Sequence, residues 1–133
     1  MKLEHIGIAV KSLETSIPLY ERLLGSPCYK REKVEAEQVE TAFFLPSSGK
    51  VELLVSLDPQ DVIAKFIEKK GEGLHHIAFE VPDIIAEMER LKKEGFTLLN
   101  EIPKKGADNK LICFVHPKDT LGVLMELCQA MPL

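Results

Sequence analysis

Two histidines and two glutamates stand in this sequence at strand positions that run against the apolar pattern. "LEHIGIAV" holds His5, and "LHHIAFEV", beginning 71 residues later, holds His76 at the matching place. "KVELLVSL" holds Glu52 and "GVLMELCQ" holds Glu126. Each acid follows its histidine at a similar distance, 47 residues in the first case and 50 in the second. An acid inside an apolar strand is costly to bury unpaired. Two acids and two histidines related by a repeat offset that cost together by binding one divalent metal. The mixed nitrogen and oxygen set suits Mn, Fe, Co, Ni or Zn and lacks the thiolates that favour a closed structural zinc. It leaves coordination positions open. An ion with open positions can polarise a carbonyl and stabilise the enolate formed when the adjacent carbon gives its proton to a nearby carboxylate.

The elements that must position these groups can be read from the same repeat. Side chains alternate across a strand, so His5 shares a face with Gly7 and Ala9, while Ile6, Ile8 and Val10 share the other. In the second copy His76 falls with Ala78 and Glu80. His75 falls with Ile77, Phe79 and Val81, which makes His76 the ligand and His75 a structural residue. After the first strand, "SLETSIPLYERLLG" has helical spacing at Leu13, Ile17, Tyr20 and Leu24, with Ser12 as N-cap and Gly25 as stop. "DIIAEMERLKKEG" repeats this with Asp83 as cap, Ile84, Met88 and Leu91 as stripe, and Gly95 as stop. Pro18 conflicts with the first helix at up to ~3 kcal/mol and predicts a kink or a late start. Shorter strands follow in each copy: "CYKREKV", "TAFFLP" and "KVELLVSL", then "FTLLNEI", "KLICFVH" and "GVLMELCQ". The chain thus reads as an α+β fold of two tandem βαβββ modules, residues 1–57 and 74–130, joined by a linker helix within 58–73. A period near seventy residues is too long for a solenoid, so the two modules are expected to pack side by side as one domain of 1–133.

Bulk properties fit this reading. The chain has 133 residues, 45% hydrophobic and 29% charged, as a packed soluble domain requires. A net charge of −4 without a long basic run excludes a nucleic-acid surface, and no segment reads as a membrane span. Cys28, Cys113 and Cys128 form no C-x-x-C pair and read as buried, reduced thiols. The N-terminal apolar run is too short for a signal peptide, which points to an unprocessed cytoplasmic protein.

At these residues the sequence resembles the vicinal oxygen chelate superfamily and, within it, the methylmalonyl-CoA epimerase family. The resemblance covers nearly the whole chain and is carried by "HIGIAVKSLE", "KVELL", "IAKFIEKKGEGLHHIAFEV", "HPKD" and "GVLMELC". It implies paired βαβββ modules curled into an open, barrel-like mixed sheet around a metal, with helices outside, in a homodimer. Carried over by motif, the metal ligands are His5, Glu52, His76 and Glu126, with cobalt the favoured ion. The implied reaction interconverts (R)- and (S)-methylmalonyl-CoA through an enolate, with bases on opposite faces of the substrate and Glu126 associated with proton transfer. The position where some members carry a base on the third strand is here Thr41, and its neighbour Glu40 points the other way. "KKGADNKLICF" stands where a more glycine-rich loop is expected.

His116 and Lys118 in "HPKD" read either as a turn or as contacts to a substrate carboxylate or CoA phosphate. Lys104, Lys105 and Lys110 read either as surface lysines or as local positive charge for an acyl-CoA partner. A glyoxalase-type isomerase or lyase acting on a thiol hemithioacetal would want the same four ligands. A non-catalytic small-molecule binding protein on this scaffold often lacks them, so their retention counts against it. An iron dioxygenase would use two histidines and one carboxylate, and Glu52 as a fourth ligand argues against that arrangement.

Overall fold

A computed structural model describes residues 1–132. The chain divides into two compact units, one of His5–His75 and one of Met1–Glu4 with the chain from His76 onward. Both follow the order strand, helix, three strands.

The first runs β1 (Lys2–Ala9), α1 (Leu13–Leu24), β2 (Lys30–Val34), β3 (Val39–Phe44) and β4 (Lys50–Ser56), followed by α2 (Val62–Lys70). Its strands lie in the order β2-β3-β4-β1, antiparallel except for the parallel pair β4/β1. One sheet face is apolar: Ala42, Phe44, Val51 and Leu53 pack with Val10 and with Leu13, Ile17, Tyr20 and Leu24 of α1. The opposite face carries His5 and Glu52. At one end of that face, Ala9, Val39 and Leu54 pack with Ile63, Phe66 and Ile67 of α2.

The second unit repeats the plan with β5 (Gly73–Glu80), α3 (Ile84–Lys93), β6 (Lys104–Lys105), β7 (Lys110–Val115) and β8 (Met125–Ala130). The order is β5-β8-β7-β6, with β5/β8 parallel and the other pairs antiparallel. Ile84, Met88 and Leu91 of α3 pack with Cys113, Val115 and Leu127.

The helix signals act as read, with two adjustments. Ser12 accepts from the Thr15 N–H, and Gly25 closes α1 in the left-handed conformation at φ 63°. Pro18 does not delay α1, which starts at Leu13 because the cap and the buried stripe outweigh the missing N–H. Asp83 caps α3 through the Ala86 N–H, but the C-cap is Glu94, one residue before Gly95.

The expected strand "FTLLNEI" is not one. Leu98 makes a single bridge to Val115, and the regular pairing that follows is confined to Lys104 and Lys105. Asn100 is the physical reason. Its Oδ1 accepts the Phe114 N–H at 3.2 Å and its Nδ2 donates to the Ile102 carbonyl at 2.7 Å, so a side chain takes the place of a ladder bond. The loop expected to be glycine-rich turns at Asp108 and Asn109, with φ of 59° and 55°. Asp and Asn tolerate the left-handed region that glycine otherwise supplies.

Candidate functional site

The acid and histidine of each module face each other within that module. Glu52 lies across from Gly7, two residues beyond His5, and Glu126 lies across from Ala78, two residues beyond His76. All four side chains are buried, with residue exposures of 3 to 6%. His5 Nε2 is 3.9 Å from Glu52 Oε2, and His76 Nε2 is 3.5 Å from Glu126 Oε1. Both separations exceed a normal hydrogen bond. They approach the roughly 3 to 3.5 Å that separates two donor atoms bound to one ion at about 2.1 Å each. Each pair therefore fits half of a metal-binding set.

The adjacent histidines part as alternation requires. His75 sets its ring edge-on to Phe66 of α2, with centroids 4.9 Å apart. Burial, with a smaller contribution from the Lys70 charge, pushes its pKa down to about 4, so it is a neutral packing residue at pH 7. His76 points to the other face, where its ring meets the edge of Phe114 at 6.1 Å.

A second layer is repeated as well. Phe43 lies across from Glu52 and Phe114 across from Glu126. Lys30 Nζ sits 5.5 Å from the Phe43 ring centre and Lys104 Nζ 5.8 Å from that of Phe114. The two phenylalanines are themselves 71 residues apart, the same interval that relates His5 to His76. That interval was the signal that could have found them. They sit inside apolar strands and look like core.

The model of the Glyoxalase/Bleomycin resistance protein/Dioxygenase superfamily matches residues 4–114. The chain belongs to this superfamily. Among its relatives it is 39% identical over 130 residues to the ethylmalonyl-CoA/methylmalonyl-CoA epimerase of Cereibacter sphaeroides, covering 96% of this chain and 97% of that one. It is 41% identical over 128 residues to protein YqjC of Bacillus subtilis, covering 96% and 91%. Its structure matches a variant of Streptomyces coelicolor methylmalonyl-CoA epimerase in complex with 2-nitronate-propionyl-CoA, with a TM-score of 0.92 at 30% identity over 99% of each chain. Kinship of this extent makes the chain an enzyme of the epimerase class.

Other residues singled out in this superfamily member occupy mixed positions. Thr41 is buried, and its hydroxyl donates to the Glu32 carbonyl at 3.3 Å. Glu40 turns to the other face and accepts from Arg31 Nε at 2.9 Å. His116 Nδ1 accepts the Lys118 N–H at 3.0 Å, which caps a short 3-10 turn over Pro117–Asp119 and puts the proton of the neutral ring on Nε2. Lys110 is held by Glu80 at 3.6 Å and Glu4 at 4.0 Å. Lys104 and Lys105 are exposed. Cys28, Cys113 and Cys128 are free thiols. Among the described residues no helix is long and apolar enough to cross a membrane.

Proposed function

We propose that the chain catalyses epimerisation of (R)- and (S)-methylmalonyl-CoA, with His5, Glu52, His76 and Glu126 holding one divalent ion. The observation that carries this reading is the buried histidine–carboxylate pair written once in each module of an epimerase relative. Bound there, the ion supplies Lewis acidity to a thioester carbonyl and stabilises the enolate. The chain's own residues do the rest. Glu126 is the carboxylate assigned to moving the α-proton. Burial of both pairs keeps bulk water from their donor atoms, which strengthens every charge interaction there. His116, through its Nε2–H, and Lys118 are assigned to a carboxylate or phosphate of the acyl-CoA, with Lys104 and Lys105 adding positive charge. Cobalt is the ion we favour. The same reading includes a cytoplasmic homodimer, a compartment that suits three unpaired cysteines.

The test is exchange. Protein loaded with Co or Mn should wash deuterium from solvent into the α-position of methylmalonyl-CoA, followed by mass spectrometry. Absence of exchange together with rapid turnover of a methylglyoxal hemithioacetal would replace this reading with the glyoxalase-type one.

A further inference from the structure

Epimerisation removes a proton from one side of a carbon and returns one on the other, so it needs two carriers. Glu126 supplies one, as a carboxylate already assigned to a metal. The first unit presents another. Residues directly across an antiparallel pair share a face, and the face of His5 and Glu52 can be followed outward through the register. Phe43 lies across from Glu52, Thr41 is two residues before it on the same face, and β2 places Lys30 across from Phe43 and Glu32 across from Thr41. Among the strand residues of this face, Glu32 is the one carboxylate besides Glu52.

Its setting is that of a positioned group. Glu32 is half-buried, with its side chain 30% exposed, and Oε1 lies 3.4 Å from Lys30 Nζ. That ammonium is in turn seated over the Phe43 ring. The Thr41 hydroxyl, bonded to the Glu32 carbonyl, ties the strands together at this point. Thr41 is short, while Phe43, two residues on, fills the β3 position directly across from Glu52. Two strand spacings, about 10 Å, separate the β2 and β4 backbones that carry those acids, with Thr41 and Phe43 of β3 between them.

We propose that Glu32 is a catalytic carboxylate that exchanges the α-proton on one side of the substrate, aimed by Lys30. The inference rests on the epimerase reading. In one direction the Glu32 carboxylate takes the α-hydrogen as a proton, and the C–H electron pair moves into the thioester to form the enolate. The second carrier then protonates the α-carbon from the other side. In the reverse direction Glu32, now protonated, is the donor. Overall, one proton leaves the carbon and one returns, and nothing else is consumed.

Glu32→Gln tests it, with Glu40→Gln on the opposite face as control. Turnover should fall at least ~100-fold in E32Q, the usual contribution of a positioned acid–base group. Bound cobalt and affinity for 2-nitronate-propionyl-CoA by calorimetry should stay within about threefold of wild type on the same argument. The stereochemical readout is the sharper one. E32Q should still exchange solvent deuterium into one epimer without inversion and fail to do so with the other, and adding Thr41→Glu should restore part of the lost half. E40Q should match wild type. Wild-type epimerisation by E32Q, equal loss with both epimers, or loss of metal alongside activity would each overturn the assignment. If the unaltered protein exchanges no α-proton at all, the epimerase reading fails first and Glu32 falls with it.

Discussion

His75 and His76 are the same residue type one peptide bond apart, and strand geometry gives them different chemistry. His76 meets a carboxylate, whereas His75 meets Phe66 and is kept neutral by burial. Replacing His76 by Ala should weaken cobalt binding by at least tenfold in a titration, since a first ligand is lost. The same change at His75 should leave metal affinity near wild type and act on stability. A pH signature separates the two further. The folded-state pKa of His75, about 4, lies below its ordinary value of 6.5, so as pH falls the unfolded chain takes up the proton first. Stability should therefore drop between pH 6.5 and pH 4 and level off below. The contribution is roughly 2 kcal/mol after allowance for residual solvent contact. Urea unfolding of chelator-treated protein should show this loss, and His75→Gln should flatten it.

At the scale of elements, α1 and the β6–β7 turn carry opposite local conflicts. Pro18 sits inside α1 without an N–H to give to the Glu14 carbonyl. Pro18→Ala should raise stability by about 1 to 2 kcal/mol in chemical denaturation, less than the full helix penalty because alanine also frees the unfolded chain. Gly106 is the reverse case. A Cβ there would lie 2.9 Å from two side-chain carbons of Ile112, so Gly106→Ala should cost about 1 to 3 kcal/mol by the same measurement. The caps at Ser12 and Asp83 and the stripes of both helices were legible because polar caps and 3.6-residue spacing are local signals. "FTLLNEI" misled because its apolar residues read as strand whatever the chain does next. What ends the pairing there is Asn100, whose side chain bonds the Phe114 N–H in β7 and the Ile102 carbonyl just ahead of β6, and composition carries no trace of that.

At the scale of the whole molecule, the repeat is what made the histidines and acids readable. A single strand histidine says little, and the same interval recovered at Glu52 and Glu126 says much more. Glu32 and Lys30 were not legible in that way, because their place depends on the β2/β3 register, which a sequence with charged residues on both faces of β2 does not specify. If the two pairs share an ion, saturating metal should stabilise the fold. The gain is about 2.7 kcal/mol at free metal 100-fold above Kd, read as a rise in Tm on adding cobalt and its loss on adding chelator. The thiols supply a second gauge. Cys113 and Cys128 have no exposed surface, and burial, with a smaller push from Glu126, raises the Cys128 thiol to about 12. At neutral pH neither reacts from the closed state, since the thiolate is the nucleophile. Alkylation of these two must wait for their unit to open, while Cys28, half-buried in the other unit, keeps separate time. The chain thus carries a chemical clock for each half, and slower Cys128 labelling on adding cobalt would register an ion at Glu126 without any substrate.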